Sequence, residues 1–229
     1  MEFRKHAAPV VFVSALAIAG CGSGDDGVGP DEPPVALPTS IGVIPPFATL
    51  TQIGQVDTFG VLVVWAGSGG VVPNVVHEIS WASSDPEVLT ADPTGSLGVV
   101  VTAVDNGSAV LRAVEQLSGL TDSALVTVEQ VPRLLEVVSG SNQEGRAGSK
   151  LPNPVVIRVT DFGGTAVTGV TVSVAPEDGA GSVSPGSAVS DAEGLVSTEW
   201  TLGDGLGEQS IRVWFDGGPL LWVKARAAS

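Results

Sequence analysis

The chain has one cysteine, Cys21, in 229 residues, so it cannot close an internal disulfide. Tyrosine is absent, methionine occurs once and histidine twice. Beyond residue 20 the sole histidine is His77, which rules out a multi-histidine metal site and leaves any Ser-His-Asp arrangement a single base to use. Because His77 alternates with Val76 and Ile79, it reads as a solvent-facing strand residue. Positive charge is scarce: 10 Lys and Arg stand against 25 Asp and Glu, a net charge of −15. Such a balance favours solubility and argues against nucleic acid or an anionic membrane surface as partner. Long apolar runs are missing too, since the stretch from Pro9 to Ala19 falls well short of the ~20 residues that span a bilayer core. No window keeps a 3.6-residue apolar period over three turns, which excludes a helical architecture.

What is present at the N-terminus has a direction. Arg4 and Lys5 form a short positive region, the Pro9–Ala19 run follows, and small Ala19 and Gly20 precede Cys21. The stretch Leu16-Ala17-Ile18-Ala19-Gly20-Cys21 resembles a bacterial lipobox. That resemblance implies a signal peptide over 1–20, cleavage between Gly20 and Cys21, diacylglycerol on the Cys21 sulfur and acylation of the new amino group. One acyl chain binds membranes marginally, at ~0.8 kcal/mol per buried CH₂, whereas two or more anchor stably. Gly22 stands where Asp would favour inner-membrane retention under the Gram-negative sorting rule, so the resemblance implies an exported outer-membrane lipoprotein in a host that has such a membrane. Removing residues 1–20 takes away Glu2, Arg4 and Lys5 and makes the chain one unit more acidic.

Residues 22–36, GSGDDGVGPDEPPVA, are rich in Gly, Pro and acid and cannot bury a core. Together with Cys21 they read as a disordered acidic tether whose r.m.s. reach is roughly 20 Å.

From 37 to 130 the pattern becomes one of short strands. Ile41 and Val43 alternate, as do Phe59, Val61 and Val63, then Val99 and Val101, Ala109, Leu111 and Ala113, and Ala124, Val126 and Val128. Turn signals fall at Gly67–Gly70, Asp85-Pro86, Asp92-Pro93-Thr94-Gly95 and Asp105-Asn106-Gly107, the last predicting a hairpin because Asn-Gly tolerates φ > 0. Strands at this spacing predict a β-sandwich. The runs Ile41-Gly42-Val43-Ile44-Pro45, Ser80-Trp81-Ala82-Ser83-Ser84-Asp85-Pro86 and Gly107-Ser108-Ala109-Val110-Leu111 resemble a bacterial immunoglobulin-like (Ig-like) domain of group 2, with a Gly-rich loop from Trp65 to Asn74 as a departure.

From 131 to 229 alternation resumes with Leu135 and Val137, Val155, Ile157 and Val159, Val170, Val172 and Val174, Leu195 and Ser197, and Ile211, Val213 and Phe215. Here Ser139-Gly140-Ser141-Asn142-Gln143, Leu151-Pro152-Asn153-Pro154, Arg158-Val159-Thr160-Asp161, Ser190-Asp191-Ala192-Glu193-Gly194 and Trp200-Thr201-Leu202-Gly203 are similar to the group 1 Ig-like domains of invasins and intimins. The two resemblances imply an all-β chain of two tandem Ig-like β-sandwiches, 37–130 and 131–229, related in architecture and not copies of one repeat.

Motifs for chemistry are weak. Gly140-x₄-Gly145 has the glycine spacing of a phosphate loop, but Arg146-Ala147 stands where Lys-Ser/Thr is required and no helix follows. No Gly-x-Ser-x-Gly elbow occurs. The acidic turns at Asp85/Glu87, Glu177/Asp178 and Asp191/Glu193 lack the Asp-x-Asp-x-Asp-Gly spacing of a calcium loop and read as solvated. No cofactor, metal site or catalytic residue is expected. Trp81 and Trp200 read as core.

The C-terminal hairpin is different. If Ile211, Val213 and Phe215 face the core, Arg212 and Trp214 face outward, and on the return strand Trp222, Lys224 and Arg226 lie opposite Leu221, Val223, Ala225 and Ala227. A five-residue loop from Asp216 to Leu220 would pair Phe215 with Leu221, Trp214 with Trp222 and Arg212 with Lys224, because Pro219 cannot donate to a ladder. Trp214, Trp222, Arg212, Lys224 and Arg226 form the candidate patch for an extracellular protein or glycan ligand. The expected function is adhesive, ligand-presenting or spacing, with carbohydrate binding in a surface polysaccharide-processing system as the alternative.

Overall fold

A computed structural model describes residues 37–65 and 78–229. Cys21, the 22–36 tether, the Gly67–Gly70 turn and His77 lie outside the described residues. The chain is all-β, with seventeen strands and no helix among the described residues.

In the first sandwich one sheet has β1 (Pro38–Ile44), β3 (Val56–Trp65), β6 (Gly98–Ala103) and β5 (Leu89–Thr94) in the order β1-β3-β6-β5. Its partner sheet has β2 (Phe47–Leu50), β8 (Thr121–Val128), β7 (Gly107–Glu115) and β4 (Ile79–Ser83) in the order β2-β8-β7-β4. The chain leaves β1 at Pro45-Pro46 and changes sheet, so β2 runs parallel to β8 while β1 is antiparallel to β3. The alternating residues do what their period dictates: Phe59, Val99, Val101, Leu111, Ala113, Ala124 and Val126 meet in one apolar core. The carboxylate of Asp122 on β8 accepts from the Val43 N–H on β1 at 2.7 Å and ties the two sheets along that edge.

The second sandwich repeats the plan. One sheet is β13-β15-β11-β9, from β13 (Ser182–Ser184), β15 (Leu195–Thr201), β11 (Val155–Thr160) and β9 (Leu134–Ser139). The other is β10-β17-β16-β12-β14, from β10 (Gln143–Arg146), β17 (Leu220–Ala228), β16 (Gly207–Phe215), β12 (Thr171–Pro176) and β14 (Ser187–Val189). The chain again changes sheet, between β9 and β10, and β10 runs parallel to β17. The switch explains the Gly140-x₄-Gly145 spacing. Gly140 has φ 83°, and a Cβ there would stand 2.2 Å from the Pro154 carbonyl oxygen; Asn142 follows at φ 55°. Trp200 lies fully buried in this second core and donates from Nε1 to the Ala180 carbonyl at 2.8 Å. Truncating such a ring costs about 3–5 kcal/mol.

Three sequence expectations are corrected here. Asp105-Asn106-Gly107 does not close a hairpin: β6 and β7 belong to different sheets, so the turn carries the chain across the sandwich, with Gly107 packed against Val88. On β15 the buried set is Val196, Thr198 and Trp200, which leaves Leu195 and Ser197 on the outer side. Thr198 is accommodated inside because its hydroxyl donates to the Pro185 carbonyl at 2.7 Å. The third correction is the register of the C-terminal hairpin.

The described residues form one compact unit that contains both cores. Between them the chain is hydrogen-bonded on both sides. Glu129 and Val131 donate to the Leu50 and Thr51 carbonyls of the first sandwich, and Arg133 donates to the Thr160 carbonyl of the second.

Candidate functional site

The β16–β17 hairpin places the outward residues. Ile211, Val213 and Phe215 on β16 and Val223, Ala225 and Ala227 on β17 are buried, so period two turns Arg212, Trp214, Trp222, Lys224 and Arg226 onto the outer face of the five-stranded sheet. Trp222 is 46% exposed, Trp214 is half-buried, and Leu220 beside them is also exposed.

The pairing is offset by two residues from the expected one. Trp214 pairs with Leu220, Arg212 with Trp222 and Ser210 with Lys224. The turn is tighter because the Gly218 N–H donates to the Phe215 carbonyl at 3.0 Å and Gly217 adopts φ 71°. Phe215 folds its ring beneath the turn, where a Cβ on Gly218 would stand 2.2 Å from it, and pairs with Val172 on β12 but with no residue of β17. A shift of two keeps every side chain on its face but changes its neighbours. The two indoles are therefore diagonal, not directly opposed, a relation in which Cα atoms stand roughly 7–8 Å apart.

Arg212 sits between them in the ladder. Its guanidinium lies 5.9 Å from the Trp214 ring centroid, in register with Trp222, and its Nε is 2.5 Å from Glu177 Oε1. Lys224 Nζ is 2.7 Å from Glu208 Oε1. Arg226 pairs in register with Glu208 on one side and Glu144 on the other. Three cations of the patch thus have three carboxylates beside them, and the face carries no excess positive charge. The Arg212–Glu177 and Lys224–Glu208 ion pairs are substantially exposed, so each contributes ~0–1 kcal/mol and mainly fixes geometry.

Further along the same strands the surface dips. A depression of about 360 Å³ lies over Asn142, Gly207, Glu208, Lys224 and Arg226. A second, about 270 Å³, lies over Glu177, Leu206, Glu208 and Ser210. Glu208 lines both. Neither depression is lined by an indole; both lie toward the N-terminal end of β16. Among the described residues no cluster of three or more His, Cys, Asp or Glu stands close enough to hold a metal ion.

Sequence reasoning missed two buried carboxylates. Glu115 at the end of β7 is wholly buried and accepts from the Leu117 and Ser118 N–H groups at 3.2 and 2.7 Å and from the Ser118 hydroxyl, closing the β7–β8 turn. Asp161, also wholly buried, accepts from the Thr165 N–H at 2.9 Å within the second sandwich. It accepts as well from the Ile53 N–H at 3.2 Å and Gln130 Nε2 at 2.8 Å, both from the first segment. The only signal in sequence was its place in the Arg158–Asp161 run.

Fold and face define an all-β protein of two β-sandwiches that carries an aromatic, ion-paired sheet surface. No family model and no curated protein matches the chain. Among solved structures it is similar to the Yersinia pseudotuberculosis adhesin InvE, at 14% identity over 83% of this chain and 58% of that one, with a TM-score of 0.39. It is similar to the Escherichia coli adhesin FdeC at 20% identity over 83% of this chain and 63% of that one, TM-score 0.40. For the S-layer protein SbsC, domains 4 and 5, the figures are 20% identity, 72% and 86%, and 0.38. The chain thus spans under two thirds of the InvE and FdeC structures.

Proposed function

We propose that this chain is a non-catalytic, lipid-anchored protein of the cell envelope whose two Ig-like sandwiches present a contact surface for an extracellular protein or glycan. The observation that carries the reading is the outer face of β16 and β17, where two indoles point away from the second core, which holds Trp200. Large aromatics left on a sheet face beside arginine favour an interface. Anchoring rests on the lipobox-like stretch ending at Cys21, and outer-membrane placement rests on Gly22. The tether of 22–36 would then lift the sandwiches clear of the lipid headgroups.

Two experiments test this. Cys21→Ser should move the protein from the detergent phase to the soluble fraction, and partitioning unchanged by the substitution refutes the anchor. Binding of the full chain to arrayed glycans and extracellular proteins should be lost in Trp214→Ala/Trp222→Ala at an unchanged fold. Normal binding by that double variant refutes the contact surface.

A further inference from the structure

We propose that the β16–β17 face is a binding site for an uncharged polysaccharide. The inference rests on the contact-surface reading above and adds the chemistry of the ligand.

Charge decides against polyanions first. A site for sulfated glycans, nucleic acid or anionic lipid needs cations with no local counter-charge, because such binding is driven by replacement of the ligand's counterions. Arg212 is held by Glu177 and Lys224 by Glu208, at 2.5 and 2.7 Å, and Arg226 lies in register between Glu208 and Glu144. The whole chain at −15 repels a polyanion further.

A folded protein partner fits poorly as well. A standard interface removes roughly 800 Å² per partner from water and has a centre depleted of charge. Here the apolar residues of the hairpin face are Trp214, Trp222 and Leu220, with Leu206 and Val189 exposed apart from them, and Arg212 adjoins both indoles with its carboxylate partner beside it. Covering that pair with apolar side chains would desolvate both charges.

A neutral sugar chain makes the opposite demands. The C–H face of a pyranose ring stacks on an indole, while the hydroxyls at its edge donate to carboxylates and accept from guanidinium and ammonium groups without stripping the pair of polar contacts. The diagonal indoles supply two stacking stations, Arg212 adjoins both in the ladder with Glu177 on its β12 side, and the depression over Asn142, Glu208, Lys224 and Arg226 lies further along the same strands. Few polar groups placed beside aromatic walls is the usual make-up of a specific ligand site. A ligand with equatorial substituents, and hence flat faces, suits an open sheet surface of this kind.

The test is affinity electrophoresis of the full chain in gels containing hydroxyethylcellulose, galactomannan or heparin. The expected result is retardation by at least one of the two neutral polysaccharides and none by heparin. Trp222→Ala should weaken that retardation about tenfold or more, the loss of one hot-spot aromatic. Trp222→Phe, which keeps an aromatic face, should restore part of it, and circular dichroism melts of both variants should match the parent. Retardation of the parent by heparin alone, or by none of the three, overturns the uncharged-polysaccharide assignment. Should the double tryptophan variant still lose an arrayed protein ligand in that case, the contact surface survives with a different occupant. Retardation by a neutral polysaccharide that persists in Trp222→Ala at an unchanged fold overturns this face as the site.

Discussion

Asp161→Ala should be among the most damaging single substitutions in the chain, although it removes no apolar surface from either core. The carboxylate is wholly buried and accepts three hydrogen bonds, from Thr165 N–H, Ile53 N–H and Gln130 Nε2, at 2.9, 3.2 and 2.8 Å. A net contribution of ~1.5–3 kcal/mol per bond to a charged acceptor would sum to more than the site can lose, because Gln130 keeps a second acceptor, the Ala166 carbonyl at 3.2 Å, and water can enter the vacated volume. A total of about 3–5 kcal/mol, from the Thr165 and Ile53 N–H donors left without their acceptor at about 1–3 kcal/mol each, is the better figure. At roughly 2–4 °C per kcal/mol for a unit of this size, the melting temperature should fall by about 6–20 °C.

Two of the three donors belong to the first segment, so the loss should appear mostly as decoupling. Calorimetry of the full chain should show the parent transition splitting or broadening in Asp161→Ala. Asp161→Asn keeps one carbonyl oxygen as acceptor but turns an N–H₂ toward a donor, and should fall between the two. Combining Asp161→Ala with Gln130→Ala should cost less than the sum of the single changes, by roughly 0.5–3 kcal/mol, since both delete the same bond. A drop below about 2 °C in Asp161→Ala, or strict additivity in the double variant, refutes the reasoning that this carboxylate joins the sandwiches.

Other predictions follow from the same architecture. Expressed alone, 37–130 and 131–229 should each unfold cooperatively with β-type circular dichroism, the second at a lower temperature than in the full chain because Asp161 then keeps only its Thr165 donor; an unfolded fragment would refute the proposed 130/131 boundary. Gly203→Ala should destabilise by on the order of 1–3 kcal/mol, because its Cβ would stand 1.9 Å from the Gly179 carbonyl oxygen, whereas Gly205→Ala, with nothing within 4 Å, should melt like the parent. Equal melting temperatures for those two variants would count against the close packing of the Gly179–Gly203 backbones.

Much of the fold was legible because a strand with one buried face writes its orientation into every second residue. Ala109, Leu111 and Ala113 on β7 and Ile211, Val213 and Phe215 on β16 are buried as their alternation requires. Alternation is silent on which sheet a strand joins. Asp105-Asn106-Gly107 has the chemistry of a tight turn whether it closes a hairpin or crosses the sandwich, and only the partner strands of β6 and β7 decide between the two. Buried carboxylates were illegible for a related reason: Asp161 and Glu115 look like surface acids until donors distant in sequence, or a turn folded back on itself, surround them. Leu195 and Ser197 misled because Thr198, a polar residue, occupies the core side, its hydroxyl satisfied by the Pro185 carbonyl.

The candidate patch shows how far a correct face assignment reaches when the register is wrong. Slipping the β16–β17 pairing by two residues leaves Arg212, Trp214, Trp222, Lys224 and Arg226 outward in either case, so the list of exposed residues is insensitive to the slip. The chemistry is not. With Arg212 opposite Lys224 and the indoles directly paired, two like charges would adjoin and the patch would read as a cationic rim around an aromatic pair. In the observed register Arg212 faces Trp222, Lys224 faces Ser210 and reaches Glu208, and Glu177 closes on Arg212 from beyond the end of β12. Separating the two cations and giving each a carboxylate turns a surface suited to anions into one suited to uncharged, hydroxyl-rich ligands. The difference originates in the Phe215–Gly218 turn, where a glycine without a Cβ lets the Phe215 ring fold beneath it and sets the pairing of the strands that follow.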